Sequence, residues 1–167
     1  MPNWCSNRVT ISAGTVEEEE QLAKIKAIFE KDNPFQVIYP MPDFDKIPHP
    51  ETGELPQSEE IKNSDGEVIH VSTRWKDGTQ DTRWYDWRVA NWDTKWDINA
   101  KDVEWSDEHE DYICFEFDTA WAPPEGVVRE LKDQFPDVSI SCSMTSQVWN
   151  LRGTYNVSLR SIKRSPR

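Results

Sequence analysis

The sequence predicts an α+β fold in which two helices cover one face of an antiparallel sheet. The predicted elements come in the order strand, helix, strand, a long insertion, strand, helix, strand. Both helix patterns are amphipathic, and one late strand carries a row of Ser and Thr side chains, which fits a sheet with one open face. This order is the split β-α-β, or ferredoxin-like, arrangement. A length of 167 residues suits a single domain over residues 1–167.

The first strand and the first helix have the clearest patterns. Residues 3–11 alternate between apolar and polar side chains, which predicts a strand. Thr15 followed by Glu18 forms a capping-box signature, and apolar residues then recur every three or four positions. The predicted helix ends near Lys31, because Pro34 follows shortly after it.

The middle of the chain predicts a Trp-rich insertion over residues 43–110, between the second and third strands. Residues 35–39 alternate and predict a short second strand. Residues 43–66 are rich in Pro, Gly and acids, which is typical of a long surface loop. Residues 68–72 fit a small strand, and residues 83–91 fit a helix capped by the preceding Thr.

The second half repeats the strand–helix–strand pattern. Residues 112–119 and 138–145 alternate clearly and predict strands. Between them, a helix opens at a Pro-Pro pair and ends at Pro136, since Pro is tolerated in the first helical turn. A last strand is predicted after a turn at Gly153, and residues 161–167 are predicted to be a frayed terminus.

The chain is strongly acidic, with a formal net charge of −12 and a pI near 4.7. Affinity for nucleic-acid backbones and acidic membranes comes from Lys and Arg, so neither is an expected direct partner. The charge fits solubility alone or a partner protein with a basic surface. No run approaches the roughly 20 apolar residues of a membrane span. The three widely spaced cysteines predict that the protein resides in the reducing cytoplasm and has no disulfide bonds.

One acidic run has two interpretations. It is either a solvated, flexible segment or a display of carboxylates that occupies the basic nucleic-acid groove of a host protein, with one Trp as an apolar anchor. The candidate partner-binding residues are Glu104, Trp105, Asp107, Glu108, Glu110 and Asp111.

Four tryptophans between residues 84 and 96 also have two interpretations. They form a core that holds the insertion, or an exposed aromatic surface that stacks a base or anchors a ligand. Arg83, Arg88 and Lys95 interleave with these rings, but neighbouring Asp residues nearly cancel their charge. The four residues of this Trp cluster are Trp84, Trp87, Trp92 and Trp96.

Little in the sequence points to catalysis. The three histidines are scattered without metal-ligand spacing, and there is no Gly-rich phosphate loop. Glu116 and Asp118 lie about 7 Å apart on one strand face, but such a pair is expected by chance among 31 acids. We therefore predict no catalytic residue, no metal site and no cofactor.

Four blocks of sequence together resemble one family. In chain order they are M-P-N-W-C-S-N-R-V, I-Y-P-M-P, N-W-D-T-K-W-D and F-D-T-A-W-A-P-P. They are similar to the YubB-type ferredoxin-like domain family of phages, plasmids and the bacterial genomes that carry them. The resemblance covers residues 2–136 and departs after Pro136. Asp93 stands where the family pattern has Gly, and Asp is among the better substitutes for Gly in a left-handed conformation.

The resemblance implies a ferredoxin-like fold in a mobile-element setting, and it brings no reaction. We expect a non-enzymatic, cytoplasmic acidic protein that acts by protein–protein interaction, with mimicry of nucleic acid against a host defence protein as the leading mechanism. The alternatives are a single-stranded nucleic-acid or small-ligand module that uses exposed Trp, and an enzyme of unrecognised type.

Overall fold

The computed structural model describes residues 3–146 and 152–155. The chain divides into two compact units. The sheet unit comprises residues 1–40 and 91–167, and the hairpin unit comprises residues 41–90. The expected frayed terminus at 161–167 lies outside the described residues, and so does the end of the predicted last strand.

The sheet unit contains a five-stranded antiparallel sheet, whose strand order is β4-β5-β1-β6-β7. The hairpin unit contains a two-stranded antiparallel sheet made of β2 and β3. The elements in chain order are β1 Trp4–Ser12, α1 Val16–Phe29, α2 Pro34–Ile38, β2 Gln57–Lys62, β3 Val68–Arg74, α3 Arg83–Trp92, β4 Glu104–Glu108, β5 Tyr112–Ala120, α4 Glu125–Gln134, β6 Ser139–Ser146 and β7 Arg152–Tyr155.

One face of the five-stranded sheet carries the apolar core. Val9 on β1 lies opposite Phe115 on β5 and Cys142 on β6, and all three side chains are buried. Phe29, at the end of α1, packs on Phe115 with ring centroids 4.7 Å apart. Complete burial of an aromatic ring such as Phe115 stabilises the fold by about 2–3 kcal/mol. We refer to this as the helix face of the sheet.

The opposite face of the sheet is polar. Ser6 and Arg8 on β1 lie opposite Asp118 and Glu116 on β5, and the Ser/Thr row of β6 continues the same face. The open face expected from the Ser/Thr row extends over β5, where Asp118 is exposed and Glu116 is half-buried. Cys114, on the same side, is buried. We refer to this as the polar face.

The predicted second strand at 35–39 is wrong, because residues Pro34–Ile38 form the short helix α2. Pro34 opens the helix, where its missing N–H is not needed. The carboxylate of Asp97 accepts hydrogen bonds from the backbone N–H groups of Phe35 and Gln36, at 3.0 and 2.8 Å. An N-terminal cap that comes from residue 97 leaves no mark in the local sequence.

Strand β4 is the second strand of the five-stranded sheet in chain order, and it was not predicted. Residues 43–110 were expected as an insertion between strands two and three, whereas residues 91–110 belong to the sheet unit. Residues 41–90 therefore follow helix α2 rather than a second strand. The long loop predicted at 43–66 is also only partly correct, because it contains a 3-10 turn, Phe44–Lys46, and strand β2.

The hairpin unit is organised around the guanidinium of Arg83. It donates hydrogen bonds to both carboxylate oxygens of buried Asp81, at 2.8–3.1 Å, and to the carbonyl oxygens of Phe44 and Ile47, at 2.9 and 2.8 Å. Its central carbon lies 4.7 Å from the centroid of the Trp75 ring. A planar guanidinium combines these contacts because it stacks and donates several hydrogen bonds at once.

Candidate functional site

A groove of about 660 Å³ opens in the sheet unit, where the polar face meets the segment 96–102. This volume is in the range typical of small-ligand and peptide side-chain sites. We call it the Trp4–Trp96 groove, and its lining residues are Trp4, Ser6, Trp96, Asp97, Ile98, Asn99, Lys101, Asp102, Glu104, Glu116, Phe117, Asp118, Thr119 and Ala120.

Two partly exposed indole rings form the apolar part of the groove. The ring centroids of Trp4 and Trp96 lie 6.4 Å apart, with their planes tilted by 36°. The exposed fractions are 42% and 39%, so both residues keep a large aromatic surface open to solvent. The ammonium of Lys95 lies 4.6 Å from the centroid of the Trp96 ring, so a cation of the chain itself contacts this ring.

Strand register places the groove carboxylates beside these rings. Trp4 lies opposite Ala120, and Ser6 lies opposite Asp118, so the even-numbered residues of β1 and β5 share the polar face. Glu104 on β4 lies directly opposite Glu116 on β5. The sheet therefore brings three carboxylates from two strands to one end of the polar face.

The charges of the groove are only partly compensated. Arg8 donates a hydrogen bond to Glu116 at 3.0 Å. Asp97 and Asp102 accept backbone N–H groups and so serve the local fold. Over the described residues, Glu104 and Asp118 form no ion pair. Like charges that face each other across a strand pair are destabilising, and in the pair of Glu104 with Glu116 the Arg8 guanidinium offsets only the charge of Glu116.

The predicted acidic run does not form a single surface. A β-bulge between Trp105 and Asp107 shifts the register, so that Asp107 faces Cys114 on the polar side and Glu108 faces Ile113 on the helix side. Glu108 is paired with Lys26 of α1, at 2.6 Å. The sequence predicted that these residues form one binding surface, but the structure places them on both faces of the sheet.

Other members of the predicted run have local partners or lie in a loop. Trp105 packs on Phe115 with ring centroids 4.9 Å apart, so its ring contributes to the helix face. Asp107 pairs with His109 at 3.1 Å. Glu110 and Asp111 lie exposed in the β4–β5 turn. Only Glu104 of the predicted set lines the Trp4–Trp96 groove.

The predicted Trp cluster is likewise divided. Trp92 is fully buried, packs edge-on against Phe35 and donates its indole N–H to the Tyr39 carbonyl at 2.8 Å. Trp84 and Trp87, which belong to the hairpin unit, are half-buried, and Arg88 lies over the Trp84 ring. Trp92 is thus buried in the core of the sheet unit, and Trp96 keeps an exposed ring surface. Ligand binding by Trp96 stays a prediction.

Sequence reasoning missed Trp4, Glu116 and Asp118 as parts of the site. Alternation along β1 and β5 does place Trp4 and Glu116 on the polar sides of their strands. What the alternation cannot supply is the antiparallel pairing of β1 with β5, which sets residue 4 opposite residue 120. That pairing joins sequence positions more than a hundred residues apart.

The cysteines of the described structure have different environments. Burial alone would raise the pKa of the Cys114 thiol, but hydrogen bonds with Ser106, Thr10 and Arg8 outweigh burial and lower this pKa. Cys5, Cys114 and Cys142 are all buried and free. Burial raises the pKa of the Cys142 thiol to about 11, so the thiol stays protonated at neutral pH and is a poor nucleophile. Across residues 3–146 and 152–155, no three His, Cys, Asp or Glu side chains come together as a metal-binding group. Nor does any helix there have the length and apolarity to cross a membrane.

Residues 91–158 match the family model described as the ferredoxin-like domain in Api92-like protein. This segment is a ferredoxin-like domain. The fold predicted from the sequence is confirmed at this level, and the matched segment supplies Trp96, Glu104, Glu116 and Asp118 of the groove. Trp4 precedes it in the chain.

A crystal structure of protein api92 from Yersinia pseudotuberculosis is similar to this chain. The alignment covers 92% of this chain and 93% of that one, with a TM-score of 0.47 and 13% sequence identity. No curated protein matches the chain.

The ferredoxin-like domain begins around a residue with an unusual backbone. Asp93 has φ of 65°, which confirms the left-handed conformation expected where the resembled family has Gly. Its carboxylate accepts the backbone N–H of Gly126 at 2.9 Å, near the start of α4. Asp93 therefore lacks the backbone conformational freedom of Gly, but its carboxylate makes a hydrogen bond that Gly cannot make.

Proposed function

We propose that this protein acts by binding a protein with a basic surface, and that it does so without catalysing a reaction. The observation that supports the proposal most is that Glu104 and Asp118, which line the Trp4–Trp96 groove, have no ion-pair partner among residues 3–146 and 152–155. A cationic partner would neutralise these carboxylates and cover two exposed indole rings in the same contact. Trp and Tyr at such positions are the residues that most often dominate the binding energy of an interface.

The register that sets Glu104 opposite Glu116 supports the same proposal. A carboxylate pair that lowers the stability of its own sheet has no structural benefit there. Residues that oppose local stability are typical of functional sites, where the opposing term is relieved when the ligand binds. A partner's Lys or Arg provides that relief.

The biological setting that we propose comes from the sequence resemblance to phage and plasmid proteins. The partner is then a host protein in the bacterial cytoplasm, and occlusion of its nucleic-acid groove is the mechanism. Carboxylates presented on a sheet can occupy positions that the phosphates of nucleic acid take in such a groove. The net charge of −12 increases the rate of encounter with a basic surface.

A single-stranded nucleic acid is the second candidate ligand, because bases stack on exposed indole rings such as Trp4 and Trp96. The electrostatics of the groove disfavour it. Among the described residues, five carboxylates and one ammonium line the groove, and phosphates would be repelled by this excess of negative charge. We therefore favour a basic protein over a nucleic acid.

The proposal is tested by affinity capture from a nuclease-treated bacterial lysate. The wild-type protein is immobilised beside the double variant Glu104→Gln/Asp118→Asn, which removes the two unpaired carboxylates of the groove. We expect the wild type to retain a basic protein that elutes as the salt concentration rises. The double variant should bind that protein about tenfold more weakly, because two charge contacts are lost.

The matched control is the double variant Glu20→Gln/Asp133→Asn. Both residues are exposed on helices α1 and α4, and the loss of formal charge is identical. Retention by the control should equal that of the wild type. If the groove variant and the control retain the same proteins equally, or if no basic protein is retained, the proposal is wrong.

A further inference from the structure

We propose that the Trp4–Trp96 groove selects arginine over lysine, and receives a guanidinium side chain from the partner's surface. This inference rests on the proposed function and specifies the chemistry of the partner. The guanidinium lies against the exposed indole surface and is held by the carboxylates of Glu104 and Asp118.

The chemical lining of the groove favours a planar cation. A guanidinium is weakly hydrated, stacks on an indole ring and donates paired hydrogen bonds to a carboxylate. An ammonium group is strongly hydrated and gains less from an apolar surface. A groove that offers aromatic area and carboxylates together therefore distinguishes the two cations, whereas carboxylates alone would not.

The protein already uses both contacts for its own arginines. On the polar face, Arg8 donates a hydrogen bond to Glu116 at 3.0 Å. Glu116 is two residues from Asp118 and lies on the same side of β5. In the hairpin unit, Arg83 combines a stacked indole ring with a carboxylate, at 4.7 Å from the Trp75 centroid and 2.8 Å from Asp81. In the described part of the chain, the groove presents the same two components, with the Lys95 ammonium against the Trp96 ring and no guanidinium between the rings and the carboxylates.

The size of the groove matches a short segment rather than a single ion. A volume of about 660 Å³ accommodates an arginine side chain together with neighbouring backbone. Within residues 3–146 and 152–155, Lys101 is the cationic residue that lines the groove, and its charge limits the number of positive charges that the segment can bring. A segment with one or two arginines is the occupant we infer.

The test compares two peptides of equal charge, acetyl-Gly-Arg-Gly-Arg-Gly-amide and its lysine counterpart. Each is titrated into the full-length protein, and dissociation constants are obtained from NMR shifts of the indole N–H signals. We expect the arginine peptide to bind about fivefold more tightly. Trp96→Ala should abolish that preference, while Trp96→Phe, which keeps an aromatic ring, should retain part of it.

The control variant is Tyr85→Ala, which removes an aromatic residue of similar exposure, 38%, from the hairpin unit. It should leave both dissociation constants unchanged. Equal affinity for the two peptides, absence of binding by both, or tighter binding of a single-stranded oligonucleotide would overturn the arginine preference.

The outcomes separate this inference from the proposed function. If the capture from lysate depends on Glu104 and Asp118 but the peptides show no preference, the arginine selection is wrong and the binding function stands. If the capture is insensitive to these carboxylates, both are wrong. A peptide preference that survives Trp96→Ala with the fold intact also contradicts the inference, since the selectivity would then lie elsewhere.

Discussion

Replacement of Arg83 by Ala is expected to lower the stability of the hairpin unit by about 3–5 kcal/mol. The substitution leaves the buried carboxylate of Asp81 without its cation, and it leaves the carbonyl groups of Phe44 and Ile47 without their donors. Amide hydrogen exchange of strands β2 and β3 measures this loss. The control is Lys76→Ala, which breaks an exposed pair with Glu54 and should change the same quantity by about 0–1 kcal/mol.

The same contact makes the hairpin unit sensitive to acid. Burial of Asp81 favours the protonated form, but the hydrogen bonds and charge of Arg83 outweigh burial, so the pKa of Asp81 is below its usual value. A lowered folded-state pKa contributes stability that is present above the unfolded value of about 3.9 and is lost as the pH falls through the folded value. If Arg83→Ala leaves the exchange rates of β2 and β3 unchanged, the guanidinium is not the organising element.

Replacement of Gly126 by Ala is expected to lower the free energy of unfolding of the sheet unit by about 3 kcal/mol. A Cβ atom at residue 126 would lie 1.7 Å from the carbonyl oxygen of Asn91 and 2.8 Å from its carbonyl carbon. Both are backbone atoms, so a side-chain rotation cannot relieve the overlap. The start of α4 must then move away, which also weakens the hydrogen bond from Gly126 to Asp93.

Denaturant unfolding of the Gly126→Ala protein provides the measurement, and Gly14→Ala provides the control. At residue 14 the added Cβ would meet the Glu18 carboxylate at 3.5 Å, an ordinary contact. That control should change the free energy of unfolding by less than about 0.5 kcal/mol. A Gly126→Ala protein as stable as the control would mean that the backbone near Asn91 yields without strain.

Elements with local signals could be predicted from the sequence. The first helix begins after Thr15 as expected, and the hydroxyl of Thr15 accepts a hydrogen bond from the backbone N–H of Glu18 at 3.3 Å. Strands β1, β5 and β6 follow their alternating patterns to within a residue or two. In each case the capping residue or the apolar period lies within the element itself, so tertiary structure was not needed to recognise it.

Elements that depend on distant partners could not be predicted. Residues 35–39 alternate like a strand, but the carboxylate of Asp97 caps residues 34–38 as a helix. Residues 104–108 have the composition of a solvated loop, but Trp105 packs on Phe115 and the backbone pairs with β5. The groove has the same origin, because Trp4 and Asp118 meet only through the register of β1 with β5.

We propose that the carboxylate of Glu104 binds a partner and, in the isolated protein, lowers the stability of the sheet because it faces Glu116. The free energy of unfolding of the isolated Glu104→Gln protein tests this claim most directly. Removal of the charge that faces Glu116 should raise the stability by about 0.2–1 kcal/mol, whereas Glu108→Gln, on the other face of β4, should lower it by breaking the pair with Lys26. A Glu104→Gln protein less stable than the wild type would contradict the claim, because the carboxylate would then serve the fold.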